Sequence, residues 1–338
     1  MPESKKDPQF QGVGLDIGTM NIVSARRSEK GVETKRMRDA FISLKPEKTR
    51  MLKLSQTSFV EREDDVLILG DAAMEMANVF GDNPRRPLAG GLIAAGENDA
   101  LAVLKLLIGN VLGKPRVPDE ICYFSVPAAP LDQPDRDIIY HQGVFERIVE
   151  EAGYDPFPAN EGMAIIFSEC APENFSGLAF SFGSGMTNVA LALNTTEVLS
   201  FSVQRGGDWI DKHAATAVGM TQAQMCALKE SGIDLVKHET QPEEALALYY
   251  KAMIEFALDQ VAAHFAQKAG QYTFPQPIPI IVSGGSSQAG SFLAFFEKVW
   301  KKKRKRFPIK ISEVRAAKDP LNAVAFGMLV QSMQEYEE

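Results

Sequence analysis

A carboxylate precedes a glycine turn in the segment Val13–Val23, where Asp16 lies two residues before Gly18. Turn glycines let a backbone approach a ligand closely, and successive N–H groups of a turn form a concave nest for an anion. The carboxylate would repel a bare phosphate, but it suits a hydrated Mg²⁺ that accompanies one. Taken alone, such a pattern is more often only a turn.

A β-hairpin must position these residues. Alternating apolar residues over Val13–Ile17 predict the first strand, residues 18–21 predict a tight turn, and Ile22 begins the return strand. The arrangement recurs in Gly177–Leu193, whose turn spans residues 183–187. Two such hairpins, one in each half of the chain, indicate duplicated domains that face each other across a cleft.

A third glycine-rich turn, Ser283–Ser287, lies between an apolar strand at Ile278–Val282 and a predicted helix at Phe292–Trp300. A strand, a glycine-rich turn and a helix in this order bring backbone close to a nucleotide. The three turns together are far more specific than any one of them.

The rest of the pattern predicts further elements of an α/β protein. Apolar runs predict strands at Leu52–Leu54, Val66–Leu69, Ile121–Val126 and Val198–Val203. Helical spacing or a capping residue predicts helices at 71–77, 99–108, 135–152, 221–230 and 243–268.

The composition is that of a globular protein. A length of 338 residues suits two domains, and 45% hydrophobic with 24% charged residues is ordinary for a soluble chain. The net charge of −8 gives no overall attraction to nucleic acid or to an anionic membrane. The three cysteines and four histidines are scattered, which favours a reducing cytoplasm and argues against a structural metal site. We expect neither a signal peptide at the polar residues 1–8 nor a transmembrane helix.

The motifs resemble those of the actin, heat-shock chaperone and sugar kinase superfamily, and within it the bacterial actins of the MreB and MamK type. The resemblance is carried by the phosphate loops Asp16–Asn21 and Ser181–Thr187, the lobe entry Gly206–Asp211, the adenosine loop Ser283–Ser286, and the interdomain helices near 160–164 and 319–327. It implies an α/β actin-like ATPase fold, with two duplicated ribonuclease H-like domains, small inserted subdomains and a nucleotide cleft between them.

The resemblance also implies four subdomains. Subdomain IA would comprise residues 11–32, 89–175 and 318–338, and subdomain IB residues 33–88. Subdomain IIA would comprise residues 176–220 and 271–317, and a shortened subdomain IIB residues 221–270.

For the site, the resemblance implies ATP or ADP with Mg²⁺ in the cleft. Asp16 would hold the metal through water and Glu161 would orient the attacking water, so both would be catalytic. The nucleotide would be bound by Gly18, Thr19, Met20, Asn21, Ser181, Gly183, Ser184, Gly185, Met186, Thr187, Gly206, Gly207, Asp208, Lys229, Glu230, Gly284, Gly285 and Ser286. Bound ATP would favour closure of the two lobes.

The second phosphate loop departs from the family pattern, because Ser181 stands where relatives carry an Asp. A hydroxyl can hydrogen-bond a metal-bound water but brings no charge. We therefore expect weaker Mg²⁺ binding and slower ATP hydrolysis than in relatives that have both carboxylates.

The outer part of the second lobe is a second departure. Bacterial actins carry a β-hairpin region there, whereas only residues 231–242 connect the two predicted helices of this chain. By resemblance, that subdomain makes longitudinal filament contacts, so polymerisation would use an altered contact or be absent. The shortened region also resembles the actin-related scaffolds of the PilM and FtsA type.

The basic run Lys301–Arg306 has two interpretations. It could bind nucleic acid, an anionic lipid surface or an acidic partner. It could instead end the preceding helix, where cations offset the helix dipole and face water. The absence of interleaved aromatic residues and the net acidic chain favour the helix end.

Three functions remain open from the sequence. The favoured one is a cytoplasmic, bacterial actin-like cytoskeletal ATPase that polymerises with itself under nucleotide control, with an adaptor protein as a further partner. The second is a scaffold of the PilM and FtsA type that uses nucleotide as a structural cofactor. The third is a small-molecule kinase, for which the sequence offers no recognisable acidic base beside a substrate pocket.

Overall fold

The computed structural model describes residues 11–133, 135–136, 138–267 and 274–337, so the predicted polar N-terminus at residues 1–8 lies outside it. The strands β1 to β15 are, in order, Val13–Ile17, Asn21–Ser28, Gly31–Arg38, Phe41–Leu44, Val60–Glu61, Val66–Leu69, Leu88–Ala89, Leu92–Ile93, Glu120–Val126, Tyr154–Asn160, Gly177–Phe182, Thr187–Leu193, Thr196–Val203, Ile278–Ser283 and Ile311–Ala316. The helices α1 to α10 are Thr49–Leu54, Asp71–Phe80, Ala100–Leu112, Ile139–Glu151, Glu161–Glu169, Gly207–Val218, Gln222–Glu230, Gln241–Gln267, Phe292–Lys303 and Ala323–Gln334.

Two five-stranded sheets share one topology. The first has the strand order β3-β2-β1-β9-β10 and the second the order β13-β12-β11-β14-β15. In each sheet the first three strands form an antiparallel meander, and the last two run parallel to the middle strand. The chain therefore contains the same sheet twice, which confirms the predicted duplication. The residue boundaries of the four subdomains stay a prediction.

The central strands β11 and β14 of the second sheet are buried under apolar side chains. All six residues of β11 and all six of β14 are buried, as expected for central strands covered on both faces. In the second lobe Phe180 and Phe182 of β11 pack edge-on against Phe296 of α9, with ring centroids 5.5 and 6.1 Å apart. Such rigid packing holds the end of β11 in place.

A smaller sheet, β4-β6-β5, forms a separate hydrophobic cluster with α1 and α2 in the first lobe. The predicted strand at Leu52–Leu54 is wrong, because these residues belong to α1. Leu52 is fully buried whereas Leu54 is 79% exposed, so only one face of this short helix is buried. The predicted helix at 135–152 begins only at Ile139.

The two interdomain helices, α5 and α10, pack against each other between the sheets. A Cβ atom on Gly327 of α10 would lie 1.8 Å from the carbonyl oxygen of Ala164 in α5, so only glycine permits this close approach. Gly14 of β1 makes a similar approach to α10, where a Cβ atom would lie 2.1 Å from the carbonyl oxygen of Ala325. Close backbone contacts at Gly327 and Gly14 thus fix the position of α10 against α5 and β1.

The basic run lies at the end of α9, as the helix-end interpretation predicts. Lys303 donates to Asp259 of α8 at 2.7 Å, Arg306 pairs with the same carboxylate, and Lys301 pairs with Glu297 at 3.1 Å. Three of the six cations therefore have partners within the lobe. In the described part of the chain, no helix is both long and apolar enough to cross a membrane.

The buried His141 of α4 should make the stability of the folded protein sensitive to acid. The ring is 3% exposed, accepts the Ile93 N–H at 3.3 Å, and burial lowers its pKa from 6.5 to about 4. The folded protein therefore keeps this ring neutral. The contribution of the ring to the free energy of unfolding is complete above pH 6.5 and is lost as the pH falls toward 4. Replacing His141 with Gln should reduce the loss of unfolding free energy over that range by up to about 1.4 kcal/mol per pH unit. The measurement is urea unfolding at a series of pH values.

The matched control is His238→Gln, at an exposed position in the loop before α8. This variant should follow the pH dependence of the wild type. If His141→Gln also follows the wild type, the buried imidazole is not a source of acid sensitivity.

Candidate functional site

A cavity of about 480 Å³ lies between the two sheets. One wall is formed by residues 16–21 at the first hairpin, and the facing wall by residues 183–186 at the second. The third glycine-rich turn, at residues 284–286, closes the side next to α7. The three turns that the sequence singles out therefore meet at one place.

The two hairpin turns have the same backbone geometry. The Gly18 N–H donates to the Asn21 carbonyl at 3.0 Å, and the Gly183 N–H donates to the Met186 carbonyl at 2.9 Å. Asp16 in the first hairpin and Ser181 in the second hold equivalent positions, because each lies two residues before the turn glycine. The duplicated fold thus presents a carboxylate on one side of the cavity and a hydroxyl on the other.

Asp16 is held by the neighbouring parallel strand. The hydroxyl of Ser125, in β9, accepts the Ile17 N–H at 2.8 Å and donates to an Asp16 carboxylate oxygen at 3.0 Å. Burial raises the pKa of Asp16, and the Ser125 hydrogen bond opposes that rise. The side chain is therefore fixed in direction, at a desolvation cost that a cation would relieve.

Glu161 enters the cavity from the first residue of α5. The Asn160 side chain caps this helix, accepting the N–H groups of Gly162 at 2.8 Å and Met163 at 3.1 Å. Burial raises the pKa of Glu161, and the negative charge of Asp16 raises it further. Two carboxyl groups whose pKa values are both raised therefore line the same cavity.

Asn188, in β12, links Glu161 to the second hairpin. Its amide nitrogen donates to a Glu161 carboxylate oxygen at 2.7 Å, and it pairs with Ser181 across the hairpin. Its amide oxygen is buried and has no hydrogen-bond partner among the described residues. An unpartnered buried oxygen beside two carboxyl groups offers oxygen ligands of the kind that Mg²⁺ and its bound waters prefer.

The side-chain oxygens of Asp16, Glu161 and Asn188 do not form a complete metal site by themselves. Within the described ranges, no group of three or more His, Cys, Asp and Glu side chains is placed to hold a metal ion. A divalent cation that also takes phosphate oxygens and water needs few protein ligands, and Mg²⁺ commonly binds this way. The residues present fit a metal that arrives with a phosphorylated ligand.

Most of the predicted site residues line the cavity. They are Asp16, Gly18, Thr19, Met20, Asn21, Glu161, Ser181, Gly183, Ser184, Gly185, Met186, Gly207, Lys229, Glu230, Gly284, Gly285 and Ser286. The other three, Thr187, Gly206 and Asp208, are not among the lining residues. Thr187 is fully buried and donates to the Arg205 carbonyl at 2.7 Å, while Asp208 accepts the Ser184 hydroxyl at 2.9 Å. These residues support the second loop from behind.

Lys229 and Glu230 lie at the end of α7, whose first turn is fixed by a capping box between Thr221 and Gln224. The Lys229 ammonium donates to Asp211 at 2.7 Å and to the Gly207 carbonyl at 3.2 Å. The Glu230 carboxylate lies 3.8 Å from the guanidinium of Arg38 on the opposite lobe. Both side chains therefore have protein partners in addition to facing the cavity.

The sequence patterns missed several residues of the site. Asn188, Arg36, Arg38 and Asp71 line the cavity, and Ser125 holds Asp16. Asn188 could have been found, since pairing of the predicted hairpin strands places it opposite Ser181. The others come from distant segments without a local signal.

Solved structures with this fold share little sequence with the chain. The MamK double helical filament aligns over 97% of this chain and 98% of that chain, with a TM-score of 0.70 and 17% identity. MreB5 of Spiroplasma citri bound to AMPPNP aligns over 99% and 98%, with a TM-score of 0.67 and 15% identity. The ethanolamine utilization protein EutJ from Carboxydothermus hydrogenoformans aligns over 95% and 89%, with a TM-score of 0.55 and 15% identity.

These likenesses confirm the predicted fold: the protein has the actin-like ATPase fold of duplicated lobes around a cleft. The sequence profile of the Volactin family matches residues 12–332, and the chain belongs to that family. Comparison with curated protein sequences gives no match.

Proposed function

We propose that this protein is an actin-like ATPase that binds a nucleoside triphosphate with Mg²⁺ in its cleft and assembles with itself under nucleotide control. The observation that carries the proposal is the pair of equivalent glycine turns that face each other across the cavity, with Asp16 and Glu161 beside them. Support for the ligand comes from MreB5, which was solved with AMPPNP. Support for self-assembly comes from MamK, which was solved as a double helical filament.

In the proposed reaction, different residues bind the phosphates, orient the attacking water and hold the metal. The turns after Gly18 and Gly183 hold the phosphates with backbone N–H groups, which are oriented before the ligand binds. Glu161 orients a water for in-line attack on the terminal phosphorus, and Asn188 keeps the Glu161 carboxylate in position. Asp16 would hold Mg²⁺ through water, and the bound ion would supply positive charge toward the phosphate oxygens.

Calorimetric titration of the purified protein with ATP and Mg²⁺ tests binding. We expect saturable binding of ATP and ADP, with weaker binding when Mg²⁺ is omitted. Absence of any heat or of any competition with a fluorescent ATP analogue would contradict the proposal.

Self-assembly is tested by light scattering and electron microscopy after ATP addition. Filaments that form with ATP and disassemble after hydrolysis are the expected result. In the described residues, the connection between α7 and α8 spans residues 231–240 and contains no strand beyond a single bridge between Asp234 and Gly290. If nucleotide binds and no polymer forms, this short connection favours a scaffold of the PilM and FtsA type, to which an adaptor protein would bind.

A reducing, cytoplasmic setting is part of the proposal. The three cysteines, Cys122, Cys170 and Cys226, are all free thiols, and Cys122 and Cys170 are buried. Free thiols persist in a reducing compartment.

Ser181→Asp should strengthen metal binding and speed hydrolysis. The substitution places a second carboxylate at the position equivalent to Asp16, which increases the negative charge offered to Mg²⁺. We expect ATP binding to saturate at a lower Mg²⁺ concentration. We also expect turnover to rise roughly tenfold, within the range that a charged group in a catalytic site contributes. The measurements are phosphate release and ATP affinity as functions of Mg²⁺ concentration.

Ser181→Asn is the matched control, since it has a similar size and no charge. It should leave both quantities close to those of the wild type. A Ser181→Asp variant with neither tighter metal binding nor faster turnover would show that the hydroxyl is not what limits the reaction.

A further inference from the structure

An ion pair crosses the cleft behind the two phosphate loops. Arg86 precedes β7 in the first lobe, and Asp208 lies in the first turn of α6 in the second lobe. The two guanidinium nitrogens lie 3.1 and 3.3 Å from the two carboxylate oxygens, a two-point contact that fixes relative orientation as well as distance. The side chains are 29% and 21% exposed, so water screens the pair only in part.

Asp208 is bound directly to the second phosphate loop. Its carboxylate accepts the hydroxyl proton of Ser184 at 2.9 Å, and its backbone N–H donates to the Ser184 carbonyl at 2.9 Å. Ser184 lines the cavity whereas Asp208 does not. A displacement of Asp208 would therefore move the loop that faces the ligand.

Asp39 is hydrogen-bonded to the first phosphate loop and carries a buried carboxyl group. The Asp39 N–H donates to the Met20 carbonyl at 2.9 Å, and Met20 belongs to the first hairpin turn. The Asp39 carboxyl is fully buried. Burial raises the pKa of Asp39, and the positive charge of Arg86 opposes that rise. Arg86 thus lies within electrostatic reach of a carboxyl group behind each loop.

We propose that Arg86 and Asp208 form an interlobe clamp that positions the second phosphate loop and couples closure of the cleft to the ligand inside it. The clamp connects Arg86 of the first lobe to Ser184 of the second phosphate loop through Asp208. Its role in ligand retention rests on the proposed nucleotide function, whereas its role in holding the lobes together does not. In this proposal Asp208 is a positioning residue, rather than one of the nucleotide-binding residues that the resemblance implies.

A second ion pair at the mouth of the cleft is a weaker candidate for this role. The Arg38 guanidinium lies 3.8 Å from Glu230, and the Glu230 side chain is 47% exposed. Exposed pairs at such distances contribute little to closure. Among the described residues, neither Arg38 nor Glu230 makes a hydrogen bond to the second loop, so the coupling of loop and lobe is assigned to Arg86 and Asp208.

The test measures interlobe distance and ligand release in Arg86→Gln, Asp208→Asn and the double variant. Spin labels at Val79 on α2 and Leu248 on α8, both exposed, report the distance between the lobes by electron paramagnetic resonance. Release is followed with a fluorescent ADP analogue. We expect each single variant to lengthen the mean label distance and to release the analogue roughly tenfold faster, since truncating a partly buried charge pair acts mainly on dissociation.

The double variant separates a clamp from a general loss of stability. If the two residues act only through each other, the double variant should be no faster than the faster single variant. Arg86→Lys keeps the charge but cannot make the two-point contact, so it should restore the closure only in part. The matched control is Arg306→Gln, because Arg306 pairs with Asp259 inside one lobe and should affect neither measurement.

Two results would overturn the clamp. One is an unchanged label distance in Arg86→Gln with an unchanged melting temperature, and the other is an additive double variant. If the wild type binds no nucleotide, the proposed function fails, and the label distances of the free protein still decide whether the clamp exists.

Discussion

Glu161→Gln should abolish most of the ATP hydrolysis and leave nucleotide binding intact. The variant keeps the shape of the side chain and its place at the capped start of α5, but the neutral amide cannot orient and polarise water as a carboxylate does. Removal of a group in this role costs about 100-fold or more in turnover. Single-turnover phosphate release measures the rate, and calorimetry measures the affinity for ATP.

The affinity measurement distinguishes chemistry from folding. Loss of one negative charge beside Asp16 should leave ATP affinity equal to that of the wild type or slightly higher, because phosphate oxygens are anionic. Glu150→Gln makes the same chemical change at an exposed position of α4 and should leave turnover unchanged. If Glu161→Gln hydrolyses ATP at the wild-type rate, another group orients the water.

Gly327→Ala should strongly lower the free energy of unfolding of the protein. The added carbon would lie 1.8 Å from the Ala164 oxygen, 2.4 Å from its carbonyl carbon and 2.7 Å from its Cα, all backbone atoms of α5. No side-chain rotation relieves such a contact, so α5 and α10 must separate. Overpacking of this kind costs about 3 kcal/mol or more. Calorimetric melting should show the loss as a lower transition temperature.

The same substitution should also impair the site, because Glu161 begins the helix that has to move. Gly109→Ala is the matched control, since a Cβ atom at this position in α3 meets no atom within 4 Å. An alanine there should stabilise the helix by up to about 1 kcal/mol. Equal melting temperatures for Gly327→Ala and the wild type would mean that the two interdomain helices are not in close contact.

The parts of this protein that were predictable from sequence are those with a local signal. A period-two apolar pattern and a glycine turn act over about ten residues, and both hairpins lie where these patterns predict them. The prediction at Leu52–Leu54 failed because three residues cannot distinguish a buried strand from one turn of a helix. Only the packing of Leu52 into the cluster under β4 and β6 decides between them.

The support of the site was not predictable, because it joins residues far apart in the chain. Ser125 holds Asp16 across 109 positions, and Arg86 meets Asp208 across 122 positions. Such contacts follow from strand order and lobe closure, which no single segment encodes. Asp208 illustrates this, because its motif gives no sign that its carboxylate pairs with Arg86 of the other lobe.

The equivalence of the two hairpin turns also bears on which way round a ligand can lie. Two turns with the same backbone geometry do not by themselves distinguish the two ends of a row of phosphates. The pair Asp16 and Ser181 removes that ambiguity, because only one side can attract the metal that the phosphates carry. One unmatched charge thus gives a nearly symmetric cleft a single polarity.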